Sequence, residues 1–165
     1  MAASFSLAGT LRVVPSWTDD LNTTTVVDSA TALLTFTLTH GTGNGNADGY
    51  YKDVVTIAAG GTANVDLRAL PLNVMGGTGT LSLAKVKAIL LRNRSTTATL
   101  SAGVSVANRW TALSADSLAV GTEGVFYATN VNAGWTTTAS NKVLAITNNG
   151  AAAADVELYI IGVKV

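Results

Sequence analysis

The chain has 165 residues, of which 12% are charged, and its formal net charge is zero. That length suits one substantial core and is short for two, so a single domain over residues 1–165 is expected. Its Lys and Arg residues are scattered rather than clustered, which excludes the basic surface that a phosphate backbone requires and leaves no nucleic-acid partner expected.

Phe5, Leu7, Gly9 and Leu11 alternate with Ser6, Ala8, Thr10 and Arg12, the period of a strand ending near Val14. Pro15 closes it, since proline cannot donate to a ladder. Residues 15–30 carry Trp17, Asp19, Asp20 and Asn22 among threonines, and read as a long connection or a poorly paired edge. Asn22-Thr23-Thr24 matches a glycosylation sequon, but Met1 to Phe5 offer no basic or long apolar leader, so an ordinary loop asparagine is expected.

Leu34, Phe36 and Leu38 alternate with Thr35, Thr37 and Thr39. This pattern predicts a strand with one face on the core and a threonine face toward solvent or a neighbouring subunit. Residues 41–49 form a polar, glycine-rich loop, read as a mobile hairpin tip. Tyr50 to Ala58 resume a strand, with Tyr51, Val55 and Ile57 on one side and Tyr50, Val54 and Thr56 on the other. Asn64 to Leu67 is a short strand. Arg68-Ala69-Leu70 reads as a helical turn before Pro71.

Leu81 to Arg94 is the expected centre of the fold. Val86 to Leu91 breaks alternation, so it needs cover on both faces. Lys85 and Lys87 seal one end, Arg92 and Arg94 the other. Thr97–Val106, Val125–Thr129, Lys142–Thr147 and Val156–Val165 complete the strands, with Trp110 in the core. Asn148-Asn149-Gly150 reads as a hairpin turn. Nothing predicts a helix of three turns. About eight to ten short strands imply an all-β sandwich, a jelly roll before an immunoglobulin-like sandwich.

Chemistry is sparse. With no cysteine, thiolate metal sites, disulfides and Cys nucleophiles are excluded. No apolar run approaches the ~18 residues of a membrane span. Asn44-Gly45-Asn46-Ala47-Asp48-Gly49 resembles half of a calcium loop, but Val55 stands where a bidentate Glu belongs, so no metal is expected. The glycines do not open a helix, so no phosphate cradle or cofactor is expected. His40 is the only histidine, and no serine sits in a nucleophile elbow, so no enzyme is expected. Trp17, Trp135 and the Tyr50–Tyr51 pair remain, either as interface anchors or as a platform for glycans.

Three segments are similar to small structural proteins of tailed-bacteriophage virions: Val86 to Thr97, Gly124 to Asn130, and Lys142 to Asn148 with Val156 to Val165. The resemblance implies a capsid decoration (cement) protein, made in the host cytoplasm and seated on the virion surface against the major capsid protein. It also implies a homo-oligomer, commonly a trimer. A tail-associated receptor-binding protein and a glycan-binding module are the alternatives. The expected interface comprises Trp17, Thr35, Thr37, Thr39, Tyr50, Trp135 and Ile161, with Ile161 on a terminal strand read as a sheet edge covered by a neighbour.

Overall fold

The computed structural model describes residues 6–13, 16–21, 24–29, 32–74, 77–104, 106–113 and 118–165; residues 6–35, 73–74 and 77–78 are described by backbone and pairing alone. Phe5, Pro15 and Asn22 lie outside the described residues, as do the side chains of Trp17 and Thr35.

The all-β expectation holds. Sixteen strands are present among the described residues, more than the sequence pattern suggests, with a single 3₁₀ turn at Thr111–Leu113. The excess comes from hairpins and two-residue bridges that leave no alternation long enough to read.

Two antiparallel sheets make the body. One orders β13 (Val125–Thr129), β10 (Leu83–Asn93), β16 (Ala154–Lys164) and β6 (Gly49–Ile57), with β14 (Trp135–Thr136) beside β10. The other orders β12 (Leu118–Val120), β11 (Leu100–Ala102), β15 (Val143–Asn148) and β7 (Thr62–Asp66). Between them lies one core. Val86, Ile89 and Leu91 of β10 and Val156, Leu158 and Ile160 of β16 meet Leu100, Leu144, Ile146 and Trp110 there, all fully buried. A hairpin of β8 (Leu70–Val74) and β9 (Gly77–Leu81) stands apart, and Leu70 starts a strand where a helical turn was expected. Asp66 is the reason for the bend there: its side chain and backbone accept from the amides of Arg68 and Ala69.

The central position of β10 is as expected, but its residues divide by face. Leu91 is fully buried between the sheets, whereas Leu90 faces outward and is half-buried. Leu91→Ala is therefore expected to cost about 2–5 kcal/mol. Leu90→Ala should cost markedly less. Urea unfolding of the two variants checks the difference, and equal losses would refute the facing.

The terminal strand is not an edge. β16 pairs along its length with β10 on one side and β6 on the other. Its sparse charge reflects burial at the sheet's centre, so no neighbour is needed to cover it. At Gly162 the strands approach so closely that an added Cβ would strike the carbonyl of Lys85. The register slips beside it, between Leu83 and Lys85 and between Val86 and Ala88, in the manner of β-bulges.

The Asn148-Asn149-Gly150 hairpin is also corrected. β15 and β16 belong to different sheets, so the segment is a crossover. Buried Asn148 organises it by donating to the carbonyls of Ile57, Ala58 and Ala152 while accepting from the Gly150 amide.

Ahead of the body runs a ribbon. β1 (Ser6–Val13) pairs with β4 (Ala32–His40), and β2 (Ser16–Leu21) with β3 (Thr24–Ser29). Ser6 faces Thr39, Val13 faces Ala32, Ser16 faces Ser29 and Leu21 faces Thr24. One unslipped register therefore runs through both hairpin halves. The segment expected to be a connection is the outer half of this arm.

Candidate interaction surface

The outer face of the larger sheet is built from every second residue of four strands. Cross-strand pairing sets three rows: Thr129, Ala88, Ile161 and Tyr50; then Tyr127, Leu90, Tyr159 and Lys52; then Val125, Arg92, Glu157 and Val54. The middle of the first row is covered, since Ala88 and Ile161 are buried while Thr129 and Tyr50 at its ends are exposed. Leu38 and Phe36 of the arm's root pack with Ala47, Ala88, Ile161 and Val131 in a second, small core. Phe36 also stacks on Tyr127, with ring centroids 6.0 Å apart. The Tyr127 hydroxyl is buried there without a hydrogen-bond partner, and burial raises its pKa.

Apart from Tyr127, the other two rows are open. Val125 is 57% exposed and Val54 40% exposed, beside half-buried Leu90 and Tyr159. The charged groups of these two rows are matched to one another. The Tyr159 hydroxyl donates to Glu157 at 2.5 Å. Arg92 and Lys52 stand 3.8 Å and 4.0 Å from the same carboxylate. Lys52 lies over the Tyr159 ring. The Tyr159 hydrogen bond, with Lys52, Arg92 and Arg94 nearby, holds Glu157 below the usual carboxylate range. Exposed apolar side chains thus border a cluster of matched charge.

Two loops border the covered row, and Lys87 ties them together. This residue does not cap the strand as expected. It is fully buried in the irregular part of β10 and has no acidic partner among the described residues. Its ammonium donates instead to the carbonyls of Gly43, Val131 and Asn132. Burial, with the charge of Lys85, lowers its pKa. The glycine-rich loop expected to be mobile is thus fastened, since Gly45 also donates to Val131 at 3.0 Å with its own φ at +73°. Asn93 is a comparable bolt: buried, it donates to Ala98 and Gly121 and accepts from Ser95.

The sequence-predicted residues do not converge. Thr37 and Thr39 are exposed on the arm, and Tyr50 is 42% exposed at the edge of the sheet face. Ile161 is 7% exposed and belongs to the small core, because its strand is central; it is not a surface contact. Trp135 is half-buried, edge-on to Trp110 at 84°, rather than free in a loop. Tyr50 and Tyr51 fall on opposite faces of β6, and Tyr51 is buried. These three aromatics therefore form no common glycan platform. His40 is exposed at the end of β4. Among the described residues no group of three His, Cys, Asp or Glu could hold a metal ion. Leu90, Tyr159, Glu157 and Lys87 were missed; the parity of β10 and β16 marks the first three, while nothing local marks Lys87.

Acid weakens this arrangement in a defined direction. Burial alone would raise the Asp66 pKa, but Lys142 at 2.6 Å and the Arg68 amide outweigh it and lower it. Glu157 is lowered too. A carboxylate depressed in the folded state contributes stability above its unfolded pKa, about 4, and loses it as pH falls toward the folded value. The unfolding midpoint should therefore drop on acidification below about pH 4 to 5. Asp66→Asn should flatten part of that slope in thermal melts, and an unchanged slope would show that Asp66 contributes nothing.

No family model matches the chain, and no curated protein matches it.

Proposed function

We propose that this chain is a non-enzymatic structural protein of a virion, a decoration protein bound to the outer shell and bracing its contacts. The observation that carries the structural role is the pairing of a closed sandwich with a long two-stranded arm, beside a sheet face that is apolar and open. A catalytic protein concentrates titratable groups in a concave site. Here the depression lined by Leu90, Arg92, Glu123, Val125, Glu157 and Tyr159 is shallow and open, Arg92 and Glu157 in it are matched to one another, and the buried polar side chains bolt loops to strands. The virion assignment rests on the three strand segments similar to phage structural proteins.

The sandwich is read as a jelly roll. What supports this is the strand order, β6-β16-β10-β13 in one sheet and β7-β15-β11-β12 in the other. Along the eight strands from β6 to β16 only β11 and β12 are consecutive within a sheet; every other step crosses between sheets. That is the path of two interleaved Greek keys.

Mass spectrometry of purified particles from the phage or prophage carrying the gene tests the assignment. The chain should be present in fixed ratio to the major shell protein. Its absence from intact particles would overturn the virion reading.

A further inference from the structure

We infer that the arm of one copy docks on the open outer sheet face of a second copy, so that neighbouring chains are joined by exchanged hairpins. This rests on the structural-protein reading and names its first partner. Length gives the first reason. At about 3.3 Å per residue, the ribbon beyond its root, from Thr10 to Leu21, extends roughly 40 Å if straight. The outer face of its own sheet continues only from Ala88 to Asn93 beyond the arm's root, roughly 17 Å. The chain therefore carries more ribbon than its own face can cover.

Composition gives the second reason. Leu38 and Phe36 share strand parity with Leu34 and Ala32, which pair with Leu11 and Val13. The register thus extends the apolar positions of the root along the arm. The root itself identifies the surface such positions take: Ala88, Ile161 and Tyr127 of the outer sheet face. Leu90, Tyr159, Val125 and Val54 continue that same face in every copy. Edges give the third reason. β2 and β3 pair only with each other among the described residues, and an isolated two-stranded hairpin is marginal in water. A second copy supplies cover of the type the root already uses.

The absence of native cysteine makes the test clean. One chain carries Leu34→Cys on the arm. A second, lengthened by a tag, carries Tyr159→Cys on the sheet face. A short bismaleimide added to the mixture should give a covalent heterodimer as the main product. No heterodimer, or a product confined within one chain when both substitutions are placed together, would overturn the inference. Light scattering on the unmodified chain guards against misfolded variants. It should give a multiple of the chain mass, and Leu90→Asp should raise the dissociation constant about tenfold or more; a monomer at all micromolar concentrations would overturn the inference equally. A chain found in particles yet monomeric in solution sinks this inference alone. An arm-exchanged oligomer absent from particles sinks the virion reading alone.

Discussion

Trp110→Ala is expected to cost about 3–5 kcal/mol, the largest loss available from a single side chain in this fold. Trp110 is the largest fully buried side chain among the described residues. Its ring meets Trp135 edge-on at 6.0 Å, and its indole nitrogen donates to the Thr136 carbonyl at 3.3 Å. Its own amide donates to Val143 at 2.8 Å. It thus joins β14, on the larger sheet, to β15 on the smaller. Truncation opens a cavity between them and removes the ring contact on which Trp135 rests edge-on. Urea unfolding measures the loss, and near-ultraviolet circular dichroism should lose the signal of the paired indoles. A cost under about 1 kcal/mol would mean that the sheets close over the gap.

Lys87→Met is expected to cost roughly 1–3 kcal/mol, the range for leaving buried acceptors without their donor. The methionine keeps most of the apolar stem and removes the ammonium. The carbonyls of Gly43, Val131 and Asn132 then lose a shared partner. The loss should be local before it is global. Amide exchange should quicken at Gly45 and Gly134, whose amides donate within the two tied loops, while the amides of β16 stay protected. Burial of an unpaired ammonium is itself costly, so a more stable Lys87→Met is the outcome that would refute the tie.

The sequence carried the interior of this fold better than its connections. Strict alternation in residues 34–39 and the β-formers of residues 50–57 marked real strands, and the broken alternation of Val86 to Leu91 marked the central strand, whose outer face is covered at Ala88 and half-covered at Leu90. Trp110 was read as core by contrast with Trp17 and Trp135, which stand in polar, loop-like stretches. Topology was not legible, because pairing partners are set at long range and no single segment encodes them. Hence the terminal strand was read as an edge, its few charges being equally consistent with a covered centre. Residues 15–30 looked like a connection because Asp19, Asp20 and Asp28 interrupt the β-formers, yet register carried over from β1 and β4 overrides that local preference. Of the interaction surface, only the outward position of Tyr50 and the threonine parity were readable. Lys87 and Asn148 looked like a surface charge and a turn residue, since their partners are backbone carbonyls supplied by distant loops.

The central place of β16 has a consequence for synthesis. β6 and β10 leave the ribosome long before the strand that divides them. Until β16 is made, each presents an unpaired hydrogen-bonding edge, and β10 bears the fully buried Ile89 and Leu91 of the finished core. The larger sheet cannot close during elongation. A nascent chain halted before residue 154 should stay open to proteases and prone to associate with its neighbours, and should become resistant only when the last strand slots in.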